Sequence, residues 1–236
     1  MSMNLVIGSC FRDSSDEYMD AYFSRIYMLR QSTSSDVKIR LLLVEGDSVD
    51  STTWVRLNRK LGEHNLSGSQ VILRDHGHPV YGSVATPERL SSFAYAANGI
   101  WENLEPSDDL LFYVESDIIW SPQTLAAMVQ DLQPSNADWS IIAPMVHEIS
   151  TGGFYDTWGF RRHGIHWTKH DGHPTVDAGW QGIVEMDSVG SCLLIRTEVA
   201  RQFRLTPEES LVGFCKLASQ AGYRIGMDTR LEVEHP

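Results

Sequence analysis

The run Leu110-Leu111-Phe112-Tyr113-Val114 is unbroken by any polar residue and passes directly into Glu115-Ser116-Asp117. An apolar run of that length without alternation is the pattern of a strand covered on both faces of a sheet, which restricts the chain to a layered α/β architecture. Carboxylates at the exit of such a strand cost free energy unless a cation or a hydrogen-bond donor meets them. Positions i and i+2 of an extended chain share a side, so Glu115 and Asp117 are expected to face one bound group, with Ser116 turned away. Oxygen ligands of this kind suit Mg2+ or Mn2+, with a diphosphate completing the shell. The same residues also suit a plain acidic turn before a helix capped at Ser121 with Pro122 in its first turn, so the pair alone leaves both readings open.

The rest of the chain repeats that grammar. Asn4 to Phe11 reads as a buried strand, followed by the polar run 12–16 and a helix from Glu17 to Arg30 on which Tyr18, Tyr22, Ile26 and Leu29 recur at helical spacing. Strand, polar loop and helix in that order place a binding loop at the carboxyl edge of a parallel sheet, which makes Arg12 a candidate for a diphosphate or base contact. A second strand, Val37 to Val44, exits into Glu45-Gly46-Asp47-Ser48-Val49-Asp50-Ser51-Thr52. Asp50 or Ser51 suits a helix cap, and Gly46 a tight turn or close ligand approach; capping accounts for one of these acids, not three. A short strand, Gln70 to Arg74, precedes His76 and His78, which lack a further metal-binding partner nearby in sequence. Helices are expected at 88–103, 122–132 and 197–203 and from Pro207 onward. Strands are expected at 139–146, in the segment 184–196 and at the chain's end. Glu208 and Glu209 then fall at a helix amino end, where the dipole favours anions.

The segment from Phe154 to His173 is the least regular and the most aromatic. It carries Trp158, Arg161 and histidines at 163, 166, 170 and 173, and its glycines argue against a continuous helix. It reads as a loop over a site, with aromatics suited to stacking on a sugar ring or base.

A length of 236 residues with 42% hydrophobic content supports one sizeable core, and no linker-like stretch divides it, so one domain over 1–236 is expected. A net charge of −12 works against a broad nucleic-acid-binding surface. The three cysteines, Cys10, Cys192 and Cys215, lie in or beside apolar runs and read as buried thiols. No leader-like segment precedes Leu5 and no apolar run approaches the roughly 20 residues that cross a bilayer, so a soluble, cytoplasmic protein is expected.

Taken together, the acids after Val44, Glu115-Ser116-Asp117, the Val189-Gly190-Ser191-Cys192 segment, Pro207-Glu208-Glu209 with Phe214-Cys215, and His235 resemble the nucleotide-sugar-dependent glycosyltransferases of the GT-A fold. Tyr113-Val114-Glu115-Ser116-Asp117 with Ala143-Pro144-Met145-Val146 and the run 154–161 is most similar to the fungal mannan-polymerase type mannosyltransferases. The resemblance implies a single GT-A-like, Rossmann-like domain with a central, mostly parallel sheet flanked by helices. It implies Asp117 and His235 as ligands of Mn2+ or Mg2+, and Glu115 on the ribose or metal shell. Asp47 would contact base or ribose, Arg12 would border the base, and Gly190 would lie beside the sugar pocket. Glu209, with Glu208 next to it, would act at the acceptor side. The implied partners are a nucleoside-diphosphate sugar and a hydroxyl-bearing acceptor. The stretch containing Trp158 and Arg161 suits a saccharide, a phosphorylated lipid carrier or a hydroxylated base of modified DNA. The competing readings are a metal-dependent nucleotidyltransferase, whose glycine- and lysine- or arginine-rich phosphate loop is missing between Leu5 and Asp16, and an inactive glycan-binding protein of the same fold.

Overall fold

A computed structural model describes residues 2–50, 52–81, 86–133, 139–167 and 182–236. The apolar runs become strands and the stretches between them helices: β1 (Met3–Phe11), α1 (Asp16–Ser32), β2 (Val37–Glu45), α2 (Thr52–His64), β3 (Gln70–Leu73), α3 (Pro87–Glu102), β4 (Leu110–Val114) and α4 (Pro122–Asp131). They continue with β5 (Trp139–Glu148), β6 (Arg161–Arg162), β7 (Ile165–His166), β8 (Ile183–Glu185), β9 (Cys192–Arg196), α5 (Thr197–Gln202), α6 (Ser210–Gln220) and β10 (Arg224–His235). The main sheet runs β3-β2-β1-β4-β9-β5-β10-β8. Its first four strands are parallel, β9 lies antiparallel between β4 and β5, and β10 is parallel to β5. The molecule is therefore the α/β domain with a mostly parallel sheet that the sequence predicts.

The reason is visible in the burial. Leu41 to Val44, Leu111 to Val114 and Cys192 to Ile195 have almost no exposed surface, so both sheet faces must be covered by helices. Helix starts obey local chemistry. Ser15 Oγ accepts from the Tyr18 amide at 3.3 Å, Thr86 Oγ1 from Arg89 at 3.4 Å, and Ser121 Oγ from Thr124 at 3.0 Å, the last two with proline in the first helical turn. At the start of α2, Asp50 Oδ1 accepts from the Thr52 amide at 2.9 Å. At the edge of the sheet away from the strand exits, Arg40 pairs with the buried Asp108 at 2.5 Å. All three cysteines are free, with Cys192 and Cys215 buried and Cys10 half-buried.

Several expectations are corrected. The chain turns immediately after Val114, the Ile118 amide donating to the Glu115 carbonyl at 3.1 Å, so Glu115 and Asp117 do not sit on an extended strand and Ser116 is not turned away. The helix expected from Pro207 begins at Ser210, because Ser210 takes φ +51° and its amide bonds back to the Thr206 carbonyl at 2.7 Å. Glu208 thus precedes the helix. Glu209 occupies the N-cap position without a side-chain capping bond. The segment 184–196 is two strands separated by a loop, and within 154–167 the chain makes a short β6–β7 hairpin. His170 and His173 lie outside the described residues, as does Ser51.

The strand directions bring the chemistry to one edge. The exits of β1, β2, β3, β4 and β10 and the entry to β9 all open there, around the crevice where the order of parallel strands reverses between β1 and β4. Among the described residues no helix is long and apolar enough to cross a membrane.

Candidate functional site

Two cavities of about 280 Å3 each lie side by side along this edge and share Arg89, Phe93 and Glu115 as a common wall. They form one cleft with its waist at the turn after β4.

That turn is gripped from two sides. The Glu115 amide donates to the Ser191 carbonyl at 2.9 Å, which ties it to the entry of β9. On its far side Ile119 exchanges both backbone hydrogen bonds with Glu234, at 2.7 and 3.0 Å. A register shift between Asp228 and Glu232 in β10 steers the last residues of that strand alongside residues 145–148 of β5. His235 is thereby delivered to Asp117, from the other end of the sequence, with Nε2 3.3 Å from Asp117 Oδ2. The imidazole is held flat against Tyr155, the ring centroids 3.6 Å apart and the planes 10° apart, and its Nδ1 is buried without a hydrogen-bond partner. A carboxylate oxygen and an imidazole nitrogen at this separation fit within one coordination sphere with bonds of about 2.1 Å. Among the described residues no third histidine, cysteine or acid joins them, so positions would be left for oxygens of a ligand.

Glu115 lines both halves at the waist. Burial, then the neighbouring carboxylates of Asp156 and Asp117, pushes its carboxyl up to about 8. Asp156 belongs to the bend after β5. Its Oδ1 accepts from the Gly159 amide at 2.8 Å and its Oδ2 from Ser191 Oγ at 2.7 Å. Burial nonetheless holds its carboxyl above the ordinary range. A Cβ at Gly190 or at Gly159 would overlap this carboxylate, so both glycines exist to let Asp156 in. Gly190 does line the cavity, as do Tyr155, Trp158, Ser191 and Ser210. Ser191 and Ser210 both adopt positive φ, at +60° and +51°.

In the other half, formed over β1 to β3, the polar groups are turned on each other. Arg12 donates to the carbonyls of His78 and Pro79 at 2.8 and 3.3 Å. Asp47, at φ +55°, accepts from the amides of His76 and Gly77 at 2.6 and 2.9 Å, and its Oδ2 lies 2.9 Å from His76 Nδ1. Burial alone would raise the Asp47 pKa, but these donors more than offset it, so the carboxyl sits below its ordinary value. Arg12, Gly46, His76 and Tyr81 line the cavity, with Asp47 behind His76.

At the mouth beside Trp158, the Arg161 guanidinium lies over the Trp158 ring, 5.2 Å from its centroid. Glu209 reaches Arg161 at 3.6 Å and Lys216 at 3.5 Å. Glu208 is exposed to solvent. The structure thus brings Glu115, Asp117, His235, Gly190 and Trp158 around the waist and the cavity beside it, puts Arg161 and Glu209 at the rim, and sets Arg12 and Asp47 into the opposite wall. Sequence reasoning missed Arg89, Tyr155, Asp156 and Ser210. Only Asp156 left a signal, as a lone acid within an aromatic run.

No protein-family model matches the chain, and no curated protein matches it in sequence. Solved structures match in fold. The mannosyltransferase PcManGT from Pyrobaculum calidifontis, in complex with GDP-Man and Mn2+, gives a TM-score of 0.62 at 12% identity over 100% of this chain and 57% of its own. GalNAc-T7 with UDP, GalNAc and Mn2+ gives 0.60 at 12% identity over 99% and 43%. S. aureus TarS 1-349 in complex with UDP gives 0.57 at 11% identity over 98% and 60%. This chain spans 43–60% of the length of these three proteins. At such identity the likeness establishes a fold shared with GT-A glycosyltransferases; a special closeness to the fungal mannan-polymerase type is not established by it.

Proposed function

We propose that this protein transfers a sugar from a nucleoside-diphosphate donor to an acceptor hydroxyl, with a divalent ion bound between Asp117 and His235. The observation that carries the reading is the meeting of those two side chains, 3.3 Å apart, at the waist of a cleft with one half on each side. Neighbours of the same fold that carry GDP-Man or UDP, two of them with Mn2+, support the donor class and the metal.

When bound there, Mn2+ or Mg2+ supplies neutralisation of the charge that grows on the departing diphosphate. This chain's own residues do the rest. Tyr155 fixes the plane of His235 and so the direction of its Nε2. Arg89, in the wall common to both halves, contributes positive charge where the diphosphate and sugar join. The β1–β3 half holds the nucleoside, bordered by Arg12 and by His76, which Asp47 keeps in place. Trp158 and Arg161 face the acceptor. Glu209 meets the acceptor hydroxyl at the rim, with Glu208 beside it: in an inverting reaction it removes the proton, and in a retaining one it positions the hydroxyl. The strings Tyr113 to Asp117, 143–146 and 154–161, which resemble mannan-polymerase enzymes, favour retention.

The test is calorimetric titration of UDP and GDP with Mn2+, with Mg2+ and with chelator. Metal-dependent binding that disappears in Asp117→Ala is the expected result. Binding of neither diphosphate, with or without metal, would sink the reading and return weight to a non-catalytic glycan binder.

A further inference from the structure

Resting on the glycosyl-transfer reading, we propose that Asp156 grips the transferred sugar by accepting hydrogen bonds from its ring hydroxyls, and that this acceptor-only carboxylate restricts the donor to a neutral, hydroxylated sugar. Four observations carry this. First, the carboxylate is set into the wall of the cavity between Glu115 and Trp158, not onto its rim. Second, its two protein donors, the Gly159 amide and Ser191 Oγ, take one lone pair on each oxygen and leave one on each for a ligand.

Third, the chain goes to some length to admit it. Gly159 and Gly190 would each overlap Asp156 if they bore a Cβ, and Ser191 takes φ +60° while donating to it. An acid that merely closed a bend would not need two glycines and a left-handed serine. Fourth, the same cavity contains a second unanswered polar group. Ser210 is 2% exposed, and its Oγ has no hydrogen-bond partner although it lines the cavity. Buried hydroxyls are normally paired, so a ligand group is the missing partner.

The chemical class follows from the lining. Tyr155 and Trp158 give aromatic faces, Ser210 gives a hydroxyl, and Asp156 gives acceptors, which together suit a polyhydroxylated ring. Asp156, whose two protein partners are both donors to it, can only accept from a bound sugar. A sugar bearing its own carboxylate would be repelled, which is discrimination by an unfavourable contact.

The experiment uses the full chain with Mn2+ and measures binding of UDP, GDP and CDP, then, for each diphosphate that binds, a neutral sugar conjugate and a uronate conjugate; UDP-glucose against UDP-glucuronate and GDP-mannose against GDP-mannuronate are the pairs to use. Wild-type protein is expected to favour the neutral conjugate by about tenfold or more. In Asp156→Asn the bare diphosphate should bind as in wild type, while the extra affinity for the neutral conjugate falls by about 10–100-fold. If Asp156→Asn binds that conjugate like wild type, or if wild type binds the uronate equally well, the inference is wrong and glycosyl transfer stands. If wild type binds no diphosphate, both fall together. The neutral-against-uronate comparison needs no variant, so it decides the matter even if Asp156→Asn fails to fold.

Discussion

The two halves of the cleft differ in what their polar groups are bonded to. Over β1 to β3, Arg12, Asp47 and Asp13 bind loop backbone and neighbouring side chains, and Asp47 is stabilised in its ionised form by the amides it accepts from. On the other side of the waist, Glu115 and Asp156 have carboxyls pushed upward by burial, and Ser210 Oγ has no partner. The first half's acids are satisfied within the folded structure, although Arg12 Nε there has no partner; in the second, Glu115, Asp156 and Ser210 all line the cavity. Function and stability therefore pull on different residues, and a change in the first half should act through folding while a change in the second acts through ligands.

The largest effect is expected at the waist itself. Asp117→Ala should cut Mn2+-dependent binding of a nucleoside diphosphate by about 100-fold or more while leaving the unfolding midpoint nearly unchanged. A drop in stability in place of a drop in binding would erase the distinction between the halves. Gly190→Ala comes next. The new methyl collides with Asp156 inside a tight wall and should cost about 1–3 kcal/mol in urea unfolding.

Arg12→Ala probes the opposite half. Loss of its bonds to the carbonyls of His78 and Pro79 should cost about 1–2 kcal/mol and speed amide exchange through residues 76–80, with only a secondary loss of ligand affinity. An affinity loss matching that of Asp117→Ala, with no change in exchange, would show that Arg12 is a ligand contact first.

A pH series sharpens the comparison further. In metal-free protein the Glu115 pKa is about 8 against an ordinary 4.5, so the folded chain holds a proton that the unfolded chain has released between those values. Its contribution is fully favourable below about pH 4.5 and is lost as pH rises toward 8. Glu115→Gln, which cannot ionise, should flatten that decline in unfolding free energy measured with chelator present, and an unaltered slope would refute the assignment. The smallest effects on stability belong to the rim. Glu209→Gln should weaken the ties to Arg161 and Lys216 and slow transfer, whereas Glu208→Gln, exposed, should alter stability by no more than about 0.5 kcal/mol.

The sequence by itself determined the layered α/β architecture, because an apolar run such as Leu110 to Val114 has no stable place except a strand covered on both faces. It also determined the helix start at Ser121, since caps are local chemistry. The acid-rich strand exits were legible for the same reason, and with them the edge of the sheet where a site would form. Only the tertiary structure decided which of those acids share a site. That Asp47 is bound to the amides of residues 76 and 77, that the chain turns at Glu115 where an extended strand was expected, and that Asp156 enters the wall through two glycines all depend on contacts between segments far apart in the chain. Hydrophobic periodicity reports which side of an element is buried; it carries no information on which distant loop supplies a hydrogen bond. That choice is made when the sheet brings the loops together.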